Sequence, residues 1–330
     1  MAMQLPSFQH LQPGSLDEAL GFLAEYGERA RVIAGGTELL VSMKQRLLVP
    51  EYLVNLKALP ELDYISQDDG GLRIGALTRL STLIRSSAVG ERFPILAQAA
   101  KMVSAPPLQE MGTVGGNLCL NTRCFYYNQS SFWRQTRGAC YKTGGDVCHV
   151  VKGGKRCFST YQGDMAPALI ALGATVEVVR KGGQREIPLA ELYTGKGKRP
   201  VALEPNEIVV ELRVPASMAG AGGDYQKLRY RGSMDFPLAG VAAVLSRNGS
   251  GACARARVVL TAVGTGPVVV DEATRLLEGQ QVNEKLVAQA ADAAYEAARP
   301  VDNVGSDASY RRKMVRVLTR RAIVNAWGKE

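Results

Sequence analysis

The sequence predicts an α+β protein made of a small β/α unit, a larger α+β region and a C-terminal α+β domain. Three observations carry that prediction. Within the first 60 residues an amphipathic helix alternates with two short apolar strands. Residues 61–217 mix strand-like and helix-like segments around a cysteine-bearing stretch that has no clean period. From residue 224, three strand-like segments come first and three helical ones follow, the pattern of a segregated α+β domain. At 330 residues the chain is long enough for two or three domains with their own cores.

Taken in order, Ser15 followed by Glu18 forms a capping-box pattern ahead of the periodic LDEALGFLAEYG. A strand over residues 31–34 runs into Gly35-Gly36-Thr37-Glu38, a helical-looking LLVSMKQRLL follows, and a strand lies near residues 52–56. In the larger region strands are expected at 72–74, 175–179 and 207–214, and helices at 81–85, 94–103 and 166–172. Gly182-Gly183 marks a hairpin turn. Past residue 224, strands are expected at 225–229, 238–246 and 254–262, and helices at 271–277, 283–297 and 309–327. Residues 120–159 are rich in Gly, Arg, Lys, aromatics and Cys; an irregular stretch of that length inside a domain calls for an organising centre.

The net charge is +9, with 40 Lys and Arg against 31 Asp and Glu. Basic residues do not form one long cluster interleaved with aromatics, so nucleic-acid binding is not favoured. The densest basic segment, Arg311 to Arg321, carries helical apolar spacing and reads as the basic outer face of a packed helix. An acidic protein partner is the remaining reading, because positive surface steers acidic carriers. No apolar run reaches membrane-spanning length, and the N-terminus lacks a basic stretch followed by an apolar core, so a cytoplasmic protein is expected.

Two glycine-rich segments stand out, VIAGGTELL at 32–40 and GTVGGNL at 112–118. Neither is the Gly-x-Gly-x-x-Gly fingerprint, yet small residues in succession let backbone N–H groups converge on an anion. The first loop also leads into a helix N-terminus. Each alone is a weak signal, since a glycine pair after a strand is commonly just a turn.

Five of the six cysteines lie between Cys119 and Cys157. Clustered cysteines in a cytosolic chain point to metal or redox chemistry rather than disulfides. Cys124, Cys140, Cys148 and Cys157 are spaced 16, 8 and 9 residues apart and sit among polar neighbours, whereas Cys253 lies in an apolar segment. Four thiolates suit tetrahedral zinc or an iron–sulfur cluster. No Cys-x-x-Cys knuckle is present, and wide spacing favours a cluster. His149 is either a donor to a cluster sulfur or an ordinary loop residue.

The segments AGGTELL, GTVGGNL, GDMAPALIALGATVEV at 163–178 and YQKLRYR at 225–231, in that order, resemble the FAD-binding subunit of the xanthine dehydrogenase and carbon monoxide dehydrogenase family. The likeness covers nearly the whole chain. Most members lack the cysteine loop; TRCFYYNQSSFW with Cys140, Cys148 and Cys157 after it resembles the beta subunits of 4-hydroxybenzoyl-CoA reductases, whose inserted loop carries a [4Fe–4S] cluster.

The resemblance implies a two-subdomain FAD-binding domain like that of vanillyl-alcohol oxidase, followed by a C-terminal domain of the CO dehydrogenase flavoprotein type. The domain limits would be 1–60 and 61–217, with the iron–sulfur loop at 120–159, then 224–330. The pyrophosphate loops of the family match Ile33, Ala34, Gly35, Gly36, Thr37, Glu38 and Leu39 in the first segment, and Gly112, Thr113, Gly115, Gly116 and Asn117 in the second. The acidic FAD contact matches Asp164 and the flavin-proximal lysine matches Lys227. Cys124, Cys140, Cys148 and Cys157 would ligate the cluster. The molybdenum cofactor and [2Fe–2S] clusters would sit on two partner subunits in a dimer of heterotrimers, so this chain supplies no catalytic residue of its own. Electrons would pass from a ferredoxin-like donor through the [4Fe–4S] cluster and FAD to the partners, for reductive dehydroxylation of an aromatic CoA thioester. An oxidative hydroxylase with outward electron flow is the alternative, and a zinc-stabilised binding module is a reading from another class. Leu108-Gln109-Glu110-Met111 departs from the family, since many relatives carry an arginine there.

Overall fold

The computed structural model of the protein describes residues 4–328. Three larger sheets follow one another along the chain, and a two-stranded ribbon of Tyr193–Lys196 and Arg199–Val201 makes a fourth. The first is a three-stranded parallel sheet with Tyr52–Asn55 between Gln9–Leu11 and Ala30–Ile33. Helix Leu16–Tyr26 covers it, burying Ala19, Leu20 and Leu23 against Ala30, Val54 and Leu56. Ser15 caps that helix through the Glu18 N–H, as expected. The Glu18 carboxylate, however, accepts from the Gly14 N–H at 2.6 Å, one residue earlier than a capping box requires. Strand Gln9–Leu11 carries no apolar alternation that would announce it. The helical-looking run after the first glycine loop is helical only over Leu39–Lys44, and Arg46 breaks it with a left-handed φ of 57°.

The central sheet is antiparallel, in the order Ile65–Asp68, Gly71–Gly75, Ile208–Pro215, Thr175–Arg180, Gly183–Pro188. Its hairpin turns on Lys181 and Gly182, the latter at φ 77°, so Gly183 already pairs with Arg180. Its three inner strands carry buried side chains on both faces. Ile74, Val176, Val178 and Leu212 meet helices Pro94–Met102 and Met165–Ala171 in the central core, while Val179, Ile208 and Val210 close the core of the N-terminal unit.

The C-terminal sheet runs Gly222–Leu228, Ala239–Arg247, Cys253–Thr261, Val268–Val269, all antiparallel. Tyr225, Ala242, Val244 and Val259 join the central core. Val241, Ala243, Leu245, Val258 and Leu260 meet helices Asp271–Leu277, Glu284–Ala297 and Ala308–Trp327. A strand buried on both faces reads as a continuous apolar run, which is why LAGVAAVLS shows no alternation.

The last helix corrects one expectation. Arg312 and Arg316 do form an outer face, paired with Glu296 at 2.7 Å and Asp292 at 2.6 Å. Arg311 instead is fully buried, donating to the carbonyls of Leu238 at 2.7 Å, Val301 at 2.9 Å and Ala262. Burial pushes its guanidinium down to about 10. Among the described residues no helix is long and apolar enough to cross a membrane.

Candidate functional site

The two glycine loops, 76 positions apart in sequence, abut in space. A Cβ on Gly35 would stand 2.2 Å from the Met111 carbonyl oxygen and 2.9 Å from the Gly112 Cα, so only glycine permits the contact. Gly115 is fixed in the same way against Ala76, its added Cβ falling 2.8 Å from that residue's Cβ and carbonyl oxygen. Gly36 takes a φ of 71° at the turn of the first loop.

The loops differ in what their backbones offer. Among the described residues the N–H groups of Gly35, Gly36, Thr37 and Glu38 have no acceptor within the protein, and the loop is only partly buried. Helix Leu39–Lys44 behind it spans less than two turns, so its dipole adds little, and the four N–H groups without an internal acceptor are the donors this loop can offer an anion. In the second loop the amides are engaged. Val114 donates to Thr78, Gly115 to Ala76 and Asn117 to the Thr113 carbonyl, each near 3 Å, while Gly116 donates to Thr113 Oγ1 at 3.1 Å. The expectation that both loops present free N–H groups therefore holds for the first alone. The second is a rigid wall that lets the first be approached closely. The donor set fits the diphosphate of FAD.

Asn117, Asp164 and Lys227 come together beside this wall. Asn117 Oδ1 accepts from the Met165 N–H at 3.1 Å, tying the second loop to the segment that carries Asp164. Asp164 accepts from the Tyr225 hydroxyl at 2.7 Å and from Lys227 Nζ at 3.0 Å. Lys227 also donates to the carbonyls of Met102 at 2.8 Å and Asp235 at 3.0 Å. All three ammonium donors are thus engaged, and the side chain is fully buried. Burial pushes Asp164 up and Lys227 down, and their mutual attraction opposes both shifts. An unpaired buried ammonium is costly, so the fold pairs Lys227 with Asp164 and two carbonyls. Tyr161 and Tyr193, which sequence spacing gave no means of selecting, add a second buried post. Their hydroxyls lie 3.1 Å apart and both donate to the Leu118 carbonyl.

The cysteine stretch is an irregular insertion closed at its base. Arg123 and Thr160 form a two-way backbone bridge, and Thr122 and Ser159 hydroxyls both donate to the Gly197 carbonyl. Cys124, Cys140, Cys148 and Cys157 line one pocket. Three of the four sulfurs have a polar neighbour. Val151 N–H donates to Cys148 Sγ at 3.5 Å, the Thr143 hydroxyl lies 3.6 Å from Cys140 Sγ and the Ser159 hydroxyl 3.1 Å from Cys157 Sγ, while the Tyr127 N–H donates to the Cys124 carbonyl at 3.0 Å. An N–H such as that of Val151 stabilises a thiolate or a cluster sulfur. Among the described residues no three His, Cys, Asp or Glu side chains converge on a point that a single metal ion could fill. Burial pushes the Cys124 thiol up to about 11. His149 Nε2 pairs with the Gly138 carbonyl at 3.2 Å and its ring lies against Tyr126, which makes it a packing residue of the loop. Cys119 and Cys253 lie elsewhere, burial raising their thiols to about 12 and about 11.

Two cations anchor the insertion, and neither was marked by any motif. Lys142 Nζ donates to Asn121 Oδ1 and the Thr122 carbonyl at 2.9 Å, and burial pushes it down to about 8. Arg134, on helix Ser131–Gln135, donates at 3.0 Å to the carbonyls of Gln45 and Arg46. It thereby clamps the insertion onto the end of the helix that follows the first glycine loop. In the family-divergent run, Glu110 pairs with Arg85 and accepts from Ser81, and the Gln109 amide donates to the carbonyls of Lys101 and Val103.

A glycine-loop site of this kind between a small parallel-sheet unit and a larger antiparallel one defines a flavin-binding subunit. Comparison with known proteins gives the family. Residues 6–217 match the FAD binding domain in molybdopterin dehydrogenase, and residues 224–326 match the CO dehydrogenase flavoprotein C-terminal domain. The chain is 31% identical to the carbon monoxide dehydrogenase medium chain of Hydrogenophaga pseudoflava, covering 98% of each. It is 36% identical to an aldehyde oxidoreductase FAD-binding subunit of Escherichia coli strain K12, over 76% of this chain and 80% of that one. Among solved structures, the carbon monoxide dehydrogenase from Hydrogenophaga pseudoflava superposes with a TM-score of 0.81 at 31% identity, covering 98% of both chains. Quinoline 2-oxidoreductase from Pseudomonas putida 86 superposes at 0.78 with 26% identity, again over 98% of both. The chain belongs to the FAD-binding subunits of the molybdenum hydroxylase family and is an oxidoreductase flavoprotein subunit.

Proposed function

We propose that this chain is the FAD- and [4Fe–4S]-bearing electron-transfer subunit of a molybdenum enzyme of the 4-hydroxybenzoyl-CoA reductase type. In such an enzyme a ferredoxin-like protein supplies electrons, and an aromatic CoA thioester is dehydroxylated at molybdenum on a partner subunit. A large molybdenum subunit and a small [2Fe–2S] subunit would complete the assembly, as a dimer of heterotrimers. The chemistry these groups supply when bound is the exchange of electron pairs at a flavin with single electrons at iron–sulfur centres.

The observation that carries the reading is the cavity ringed by Cys124, Cys140, Cys148 and Cys157 on a flavin-subunit fold. Four sulfurs lining one pocket, with no three of them converging on a point among the described residues, suit a cluster better than a single zinc ion. In this reading residues 33–39 hold the diphosphate of FAD through the N–H groups of Gly35, Gly36, Thr37 and Glu38. Residues Gly112, Thr113, Gly115, Gly116 and Asn117 wall the site. Asp164 and Lys227 position the segments on its far side.

The oxidative reading draws on the relatives, whose names include nicotine 6-hydroxylase medium subunit and quinoline 2-oxidoreductase. It shares the flavin site and leaves the cysteine cavity without a role.

The test is to purify the complex without oxygen and count FAD, iron and zinc per chain, for the wild type and for a Cys140→Ser, Cys148→Ser variant. Loss of about four irons with FAD retained is the expected result. Unchanged iron, or zinc released in its place, would remove the cluster and return the chain to the oxidative reading.

A further inference from the structure

We propose that Lys142 is the counter-cation of the cysteine pocket, a fixed positive charge that raises the reduction potential of the cluster held there. The inference deepens the redox reading above and rests on it. Besides its four cysteines the pocket is lined by Lys142, and by no Asp or Glu. Residues 120–159 contain a single acid, Asp146, which is exposed and lies outside the pocket lining.

The rest of the fold brings no acid to Lys142 either. Its Nζ donates to Asn121 Oδ1 and the Thr122 carbonyl at 2.9 Å, to Ser159 Oγ at 3.3 Å and to the Thr122 hydroxyl, and stands 4.6 Å from the centre of the Tyr127 ring. Every one of these partners is neutral, and among the described residues Lys142 joins no ion pair. Thr122 and Ser159 are buried, so the ammonium is turned inward. Lys227 gives the contrast within the same chain, because its buried ammonium has the Asp164 carboxylate at 3.0 Å. An inward-turned cation without an opposite charge is costly. Placed beside four thiols, it is balanced when the group they bind brings the negative charge.

A [4Fe–4S] core on four thiolates is such a group. It carries net negative charge and gains one more on taking an electron, so a nearby cation stabilises the reduced form more than the oxidised one. The contact is short. Ser159 Oγ, 3.3 Å from the ammonium, lies 3.1 Å from Cys157 Sγ, so one hydroxyl separates the charge from a sulfur. Lys142 also shares a tight turn with Cys140, whose N–H donates to Thr143 Oγ1 at 2.9 Å, so the cation and a second sulfur are held by one local unit. Exposed Lys152 and Lys155 belong to the same insertion, but solvent and salt screen their charge.

The test uses the assembled complex, purified without oxygen, as wild type, Lys142→Gln, Lys142→Arg and a control carrying Lys152→Gln and Lys155→Gln. Each is titrated with dithionite at neutral pH and read by electron paramagnetic resonance, with the partner [2Fe–2S] signals as the internal reference, and iron and zinc are counted. Lys142→Gln keeps a hydrogen-bonding end and loses the charge. At a fixed potential its ratio of reduced to oxidised [4Fe–4S] cluster is expected to fall at least about tenfold, a midpoint lower by about 59 mV for one electron. Lys142→Arg and the control should stay near the wild-type midpoint. An unmoved midpoint in Lys142→Gln would overturn the proposal, as would an equal fall in Lys142→Arg or in the control. Loss of iron from both Lys142 variants would make the residue a structural anchor alone, whereas loss from Lys142→Gln only would support the counter-charge. Zinc in place of iron in the wild type would remove the cluster reading and this inference with it. Iron present with an unmoved midpoint would remove this inference alone.

Discussion

At Gly35 a single hydrogen atom decides whether the flavin site can form. Gly35→Ala forces the two loops apart, since its Cβ would collide with backbone rather than with a mobile side chain. FAD affinity should fall at least tenfold, about 1.4 kcal/mol, in a fluorescence titration. FAD binding at the wild-type level would show that the loops do not form one site. Glu211, 2% exposed, accepts from Arg73 at 2.8 Å, Arg213 at 2.5 Å and Tyr64. Burial opposes its ionisation, yet these three donors together hold its carboxyl below the usual value of 4.5. A depressed folded value means stability that is present above pH 4.5 and is lost as pH falls through the folded value. Glu211→Gln should therefore destabilise the protein by roughly 2 kcal/mol at neutral pH, and the gap from wild type should close on acidification in urea titrations. A gap that stayed constant from pH 7 to pH 3 would show that the charge is not what matters. Neither feature is legible in sequence, because the partners of Glu211 and Gly35 are brought in from distant segments.

At the scale of elements, the longer periodic helices were legible to within a residue, whereas the short ones at Ser87–Arg92, Pro106–Met111, Val114–Leu118 and Ser131–Gln135 were not. Asp271–Leu277 and Glu284–Ala297 follow from their apolar period, and Asn283 caps the latter through the Leu286 N–H. The insertion was legible only as an irregularity. Its order comes from Lys142, bonded across the base of the insertion to Asn121 and Thr122, and from Arg134, bonded to Gln45 and Arg46 far away in the chain, and such polar anchors leave no periodic trace. Arg134→Ala should leave the carbonyls of Gln45 and Arg46 without donors and free the insertion from the glycine-loop helix. Faster amide exchange across residues 125–157, with exchange in helix Ala308–Trp327 unchanged, is the outcome expected in hydrogen–deuterium exchange. Uniform exchange in both would show that the clamp is dispensable. Arg311 makes the same point within one helix. Its charge suggested solvent, and its three carbonyl partners placed it inside. Arg311→Lys, with one point charge in place of a planar fork, should lower the melting temperature clearly more than Arg321→Lys on the exposed face.

At the scale of the whole molecule, the C-terminal sheet is part of two cores. Tyr225, Ala242, Val244 and Val259 complete the central core, and Tyr225 also donates to Asp164. A fragment ending at residue 217 should therefore expose apolar surface, bind a hydrophobic dye and lack a cooperative melting transition, even though residues 6–217 match a family domain by themselves. A sharp transition in that fragment would show the two cores to be independent.

By itself the sequence determined the longer helices, the principal strands of the central and C-terminal sheets, the two glycine loops and the four-cysteine pattern, because each rests on local spacing. Periodicity and residue size are properties of neighbours in the chain. Only the tertiary structure decided that the loops touch, that just the first keeps its N–H groups free, and that Lys227 is locked to Asp164. It also decided that Arg312, Arg316 and Arg320 of the terminal helix pair with Glu296, Asp292 and Glu284. Those outcomes depend on which donors and acceptors meet across long chain separations, and burial enforces the meeting, since a buried polar group without a partner costs more than the contact returns.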